Sequence, residues 1–153
     1  MTAQSTRWVF VLLITALVVG CAKPAMITEP TAVATPRDGV FIHISHGPED
    51  PHRVLMALQM AALMAEDHDV LVYLDIRGVE VVLSTAEDLA FAQFPSSRTQ
   101  IAKLLELGVP VFACPGCLEA AGKTAEDLAP GIQIADKDAF FAFTEGRILT
   151  LDY

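Results

Sequence analysis

The chain has 153 residues, 53% of them hydrophobic and 19% charged, which is enough apolar material for the core of one ordinary domain. Ten Lys and Arg against nineteen Asp and Glu leave a formal charge of −9, which excludes a nucleic-acid binder built on clustered basic residues. Three cysteines are too few for a disulfide-stapled miniprotein, and nine prolines with nine glycines show no collagen-like or low-complexity bias.

Residues 1–20 read as a secretory signal. One positive charge, Arg7, precedes the apolar run from Trp8 to Val19. As a helix that run spans about 18 Å, short of the ~30 Å hydrocarbon core, so a transmembrane helix is the weaker reading. The run ends in Val18, Val19, Gly20 and Cys21, which resembles a bacterial lipobox, where small residues precede a cysteine that is acylated. The resemblance implies a fatty-acyl anchor such as palmitate on Cys21. With Ala22 rather than Asp following, it implies an outer-membrane protein facing the periplasm. Export also places the mature protein in an oxidising compartment. Residues 21–37 then carry the anchor site and a tether with Pro24, Pro30 and Pro36; at about 3.1 Å per residue it reaches roughly 50 Å.

Residues 38–153 alternate strand and helix signals. Val40 to Ile44 is a β-branched and aromatic run ending at Gly47, a first strand. Asp50 and Pro51 supply a helix N-cap and first-turn proline, and Val54, Leu55, Leu58, Ala61, Ala62 and Ala65 follow at helical spacing. Val70 to Leu74 is nearly all apolar, as in a strand buried on both faces. Gly78 to Leu83 is either a short strand or an irregular turn. Capping-box patterns at Ser84–Glu87 and Ser97–Gln100 each predict a helix start, the second leading into a helix that stops at Gly108. Val109–Ala113 is a strand, Cys114–Gly122 a helix and Gly131–Ala135 a strand. Asp138 caps a short helix ending at Gly146, and Arg147–Leu151 closes the sheet. Strands separated by helices predict an α/β three-layer sandwich with a mostly parallel sheet. In such sheets ligands gather beyond the carboxyl ends of the strands, which directs attention to His43–His52 and to Cys114–Cys117.

Cys114-Pro115-Gly116-Cys117 is a C-x-x-C motif where a strand turns into a helix. With Cys114 as N-cap, its sulfur faces the free N–H groups of Gly116 and Cys117, which stabilise thiolate over thiol. Cys117, one turn on, is placed to resolve any mixed disulfide or persulfide formed at Cys114. The same spacing suits two thiolate ligands for a soft metal ion, and a purely structural disulfide is the plainest alternative.

Val109-Pro-Val-Phe-Ala-Cys114, followed by small residues and Gly122, resembles the DsrE/DsrF-like family of small sulfur-handling α/β proteins, over roughly Gly39 to Tyr153. The resemblance implies the three-layer, flavodoxin-like arrangement, symmetric oligomers, and a cysteine at the end of this strand that carries sulfane sulfur as a persulfide. By position that cysteine is Cys114; Cys117 is an addition to the family's single-cysteine pattern.

The histidines form a second constellation. His43 lies inside the first strand, His46 and His52 in the loop after it, and His68 at a helix end. His46 and His52 share a rim with Cys114 only if the first strand neighbours the cysteine strand. His43 is not expected to converge with them. Met56, Met60 and Met64, and likewise Phe140, Phe141 and Phe143, read as core or subunit-contact residues. No phosphate-cradling loop and no nucleophile elbow are present.

The sequence thus predicts an exported, lipid-anchored thiol protein, a sulfur carrier or thiol oxidoreductase with Cys114 as nucleophile and Cys117 as resolving thiol. It is expected to need no cofactor, and its partners are a sulfur donor or acceptor or a thiol redox protein, the membrane through its anchor, and further copies of itself. One rival is a copper or zinc module using Cys114, Cys117, His46 and His52. The other is a partner-binding lipoprotein without catalysis.

Overall fold

The structure is a computed structural model that describes residues 37–153. The signal of residues 1–20, Cys21 and the tether as far as residue 36 lie outside the described residues. Among the described residues there are five strands, β1 (Gly39–Ile44), β2 (Asp69–Leu74), β3 (Val111–Ala113), β4 (Gln133–Ile134) and β5 (Ile148–Asp152). Four α-helices accompany them, α1 (Pro51–Met64), α2 (Ser97–Glu106), α3 (Pro115–Ala120) and α4 (Lys137–Phe143).

The strands form one sheet of order β4-β3-β2-β1-β5, parallel at every pairing. From β1 to β4 the chain steps across the sheet in one direction, then returns to the far side of β1 for β5. Crossovers of one hand therefore put the last helix on the opposite face from the first three. The packing agrees. Val54, Leu55 and Leu58 of α1, Leu104 of α2 and Leu118 of α3 share a core with Val40, Ile42, Ile44, Val72 and Leu74. Phe140 and Phe143 of α4 lie on the other face, against Leu71, Phe112, Phe41 and Tyr73. The result is the three-layer α/β sandwich, flavodoxin-like in its layers but with a strand order of its own.

Local signals explain most element boundaries. The Asp50 side chain accepts from Arg53 N–H and Pro51 opens α1, as the sequence predicts. Three helix starts differ. Ser96, one residue before the predicted Ser97, caps α2 by accepting from Thr99 N–H. Ser97 is instead buried, its hydroxyl accepting from Leu89 N–H and donating to Asp88. Asp136 rather than Asp138 caps α4, accepting from Ala139 N–H. The Ser84–Glu87 box opens no helix, because Ser84 N–H donates to the Asp127 carbonyl and the segment runs on to place Asp88 over the first turn of α2. Gly78–Val82 is a 3-10 turn, after which Leu83 bridges Leu128.

The methionine series divides, with Met60 and Met64 packed on the core and Met56 exposed. Among the described residues no helix is long and apolar enough to cross a membrane.

Leu118 anchors the short helix α3 with only 1% of its surface exposed. Leu118→Ala should destabilise the protein by about 2–5 kcal/mol, the range for cavity-forming core truncations, read as a lower midpoint in chemical denaturation.

Candidate functional site

The carboxyl ends of β1, β2 and β3 meet in a rim tied together mainly through backbone. Asp75 N–H donates to the Ile44 carbonyl and Arg77 N–H to Ser45, so the turn after β2 lies on the end of β1. Two glycines permit that approach. A Cβ on Gly78 would stand 2.2 Å from the Ile44 carbonyl oxygen, and one on Gly47 would stand 2.4 Å from that of Arg77. Cys114 N–H donates to the Leu74 carbonyl at 2.9 Å.

Cys114 is the N-cap of α3 in extended conformation, with Pro115 in the first turn, as its motif predicts. The Cys114 side chain makes no capping hydrogen bond of ordinary geometry. Cys114 and Cys117 are free and half-buried. Burial alone raises the Cys114 thiol. The Tyr73 hydroxyl, the Cys117 thiol and the N–H groups of Cys117 and Gly116 outweigh it and hold Cys114 below the ordinary thiol value. Cys117 goes the other way. Burial, the neighbouring Cys114 and the charge of Asp75 raise it, against the opposing pull of Ile76 N–H. That N–H donates to Cys117 Sγ at 3.1 Å. To aim it there Ile76 adopts a φ of +47°, a left-handed conformation that costs a β-branched residue about 1–3 kcal/mol.

His43 completes the rim. It sits in β1 opposite Tyr73 of β2 on one side and Asp152 of β5 on the other. Its ring stacks on Tyr73 at 5.8 Å and its Nδ1 lies 2.8 Å from Asp152 Oδ1. Nε2 lies 2.9 Å from Asp75 Oδ1, and both atoms are buried. Burial lowers the His43 pKa, yet Asp152 and Asp75 more than compensate and raise it above its ordinary value. Burial, together with Cys114, Asp75 and Cys117, pushes the Tyr73 phenol strongly upward.

The other histidines lie elsewhere. β2 separates β1 from the cysteine strand, so the adjacency that would bring His46 and His52 to Cys114 does not arise. His52 stacks on Phe91 at 4.5 Å and also meets Phe94. His46 neighbours Ser45, and His68 pairs with Asp67. Among the described residues no group of three or more His, Cys, Asp and Glu side chains could hold a metal ion; the four residues of the metal reading are not gathered. Sequence reasoning missed Tyr73, Asp75, Ile76 and Asp152. Tyr73 is the one polar side chain in the run Val70–Leu74, and Asp75 directly follows that strand's carboxyl end; both were available as signals.

The described residues thus form a five-stranded parallel α/β sandwich with a cysteine at a strand-to-helix junction. This chain belongs to the DsrE/DsrF-like family, whose model matches residues 38–146. Among solved structures it is similar to the crystal structure of the ychN protein from E. coli, at 17% identity and a TM-score of 0.58, covering 76% of this chain and 99% of that one. It is also similar to MTH1491, a protein of unknown function from Methanobacterium thermoautotrophicum, at 22% identity and a TM-score of 0.55, covering 75% and 99%. Both likenesses concern the fold. No curated protein matches the chain.

A raised folded pKa means that the His43 contacts contribute fully below the unfolded value, about 6.5, and fade as pH rises through the folded value. The groups facing His43 are Asp152 of β5, Tyr73 of β2 and Asp75 just after that strand. Thermal melts between about pH 5 and pH 9 should therefore show wild type losing more stability than His43→Gln, whose amide carries no charge. Parallel curves would remove the ionic role.

Proposed function

We propose that the protein is an exported, lipid-anchored member of its family that carries sulfane sulfur or exchanges disulfides through Cys114 and Cys117. The observation that carries this reading is the placement of Cys114 at the head of α3, where Tyr73, Cys117 and two helix N–H groups favour its thiolate. A thiolate is the nucleophile of sulfur transfer and disulfide exchange. Cys117 lies one turn on, its thiol raised and therefore held in reserve as the resolving group. Family membership fits a sulfur relay of this kind. The anchor rests on the Val18–Cys21 pattern and the compartment on the apolar run before it.

In the reduced protein Cys114 should alkylate faster than Cys117 near neutral pH, with an apparent pKa below the ~8.5 reference. After polysulfide treatment, mass spectrometry should find a persulfide on Cys114 that persists in Cys117→Ser and is missing from Cys114→Ser. Equal alkylation rates, with both thiols titrating near the reference, would leave a structural disulfide instead. A stoichiometric copper or zinc ion lost with either cysteine would point to a metal module.

Cys21→Ser should abolish acyl labelling and leave the signal unprocessed by the lipoprotein route. Fatty-acid incorporation that persists in this variant would overturn the anchor.

A further inference from the structure

We propose that the backbone N–H of Ile76, held in a left-handed turn, is the group that positions Cys117 Sγ and favours its thiolate for attack on an adduct at Cys114. The inference rests on the thiol reading above and adds to it a group that the C-x-x-C motif does not contain.

The turn after β2 aims this N–H by engaging the amides around it. Asp75 N–H donates to the Ile44 carbonyl at 3.1 Å, Arg77 N–H to the Ser45 carbonyl at 3.2 Å and Gly78 N–H to the Asp75 carbonyl at 2.7 Å. Ile76 N–H alone of the four points to another element, donating to Cys117 Sγ of α3 at 3.1 Å. The peptide between Asp75 and Ile76 is planar and trans, so its C=O and N–H point in opposite directions. Gly78 holds the C=O, and the N–H is thereby turned toward α3. A flip of that one peptide would return Ile76 to a negative φ, but it would break the bond from Gly78 and present a carbonyl to the sulfur. The chain instead keeps φ at +47°, a conformation that β-branched residues avoid, and retains the donor. The flank of the turn is fixed as well. The Arg77 guanidinium donates to Glu80 at 3.0 Å and pairs with Glu49 at 3.3 Å, and Glu49 accepts from Gly47 N–H. The Ile76 side chain, 63% exposed, takes no part in this.

What the donor does follows from the resolving step. The Cys117 S–H bond gives its proton to solvent, and the resulting thiolate, the species that attacks a disulfide, forms a bond to Cys114 Sγ. The bond from Cys114 Sγ to the adduct's sulfur breaks, and its electron pair leaves on that sulfur as a thiolate or hydrosulfide. The adduct is the oxidant and the Cys114–Cys117 disulfide the oxidised product. In the resting site burial, Cys114 and the charge of Asp75 oppose ionisation of Cys117. An adduct on Cys114 removes the charge of that sulfur, while the Ile76 N–H stays. Hydrogen bonds to an ionised partner are roughly twice as strong as neutral ones, so the contact favours the thiolate at the moment Cys117 has to ionise. The titratable groups felt at Cys117 are Cys114, at the junction of β3 and α3, and Asp75, in the turn itself.

The test uses the full-length chain in detergent, reduced and carrying Cys21→Ser so that only Cys114 and Cys117 react. Ellman's reagent releases its coloured thiolate once when Cys114 attacks and once more when Cys117 resolves. Replacing Ile76 by the corresponding α-hydroxy acid makes that peptide an ester, which removes the N–H and keeps the side chain. The first phase should be retained. The second should slow by about tenfold near neutral pH, the scale of a hydrogen bond to a charged group. With Cys114→Ser added, alkylation against pH should place the Cys117 thiol about one unit higher in the ester than in the amide. Ile76→Gly keeps the N–H and adopts a positive φ freely, so its second phase should be at least as fast as that of wild type. An unchanged second phase in the ester, or an unmoved Cys117 titration, would overturn the proposal. So would Ile76→Gly slowing as much as the ester, because the side chain would then be the acting group. Equal slowing of both phases in the ester would reduce the turn to a structural role and overturn it too. A wild type with no first phase at Cys114 would instead overturn the thiol reading itself.

Discussion

At 2.9 Å, the bond from Cys114 N–H to the Leu74 carbonyl ties the end of β3 to the end of β2, and the chemical groups of the site take their places from that tie. It carries the ladder of the parallel sheet one residue past the strand, so Cys114 reaches α3 already extended and its sulfur meets the helix N-terminus. It also sets α3 beside the turn after β2, so that Ile76 N–H can reach Cys117. That contact is held against an unfavourable backbone conformation, which persists because the turn is fixed from both sides. Asp75 and Arg77 bond to the end of β1, and Gly78 lies against the Ile44 carbonyl with no room for a side chain.

The chain's reversal across the sheet has a second consequence. Because β5 returns to the far side of β1, the strand order changes direction next to β1, the place where open parallel sheets form crevices at their carboxyl ends. His43 and Asp152 face each other across that junction. Among the described residues α4 alone covers this face of the sheet, and its Phe140 packs edge-on to Phe41, Tyr73 and Phe112. Tyr73 and His43 therefore stay half-buried rather than sealed. Phe141, 67% exposed, faces away from this layer.

The two thiols differ because their surroundings differ. Cys114 has donors on several sides, while Cys117 has one donor, a neighbouring sulfur and a carboxylate whose charge opposes its ionisation. Titratable groups pushed apart by environment commonly mark divided chemical roles. Here the contrast accords with the proposed division between a sulfur that attacks first and one that waits.

The chain's sequence by itself determined much of the architecture. Strand and helix alternation, the Asp50–Pro51 start of α1, the buried run of β2 and the position of Cys114 at a strand-to-helix junction follow from local pattern, because each is set by residues close in sequence. Helix starts at Ser97 and Asp138 slipped by one or two residues because adjacent side chains, Ser96 and Asp136, offer equally good caps. The Ser84 box misled because its residues are used in contacts with Asp127 and α2, which local pattern does not contain. The histidines were decided only by tertiary structure. His46 and His52 look like partners for the cysteines because they lie in the loop after a strand, yet β2 stands between that strand and β3. His43, hidden inside β1, is the one that meets the site's carboxylates, which come from residues 75 and 152. Strand order sets these distances, and strand order is fixed by the long-range packing of helices on two faces of a sheet, where residues more than a hundred positions apart become neighbours.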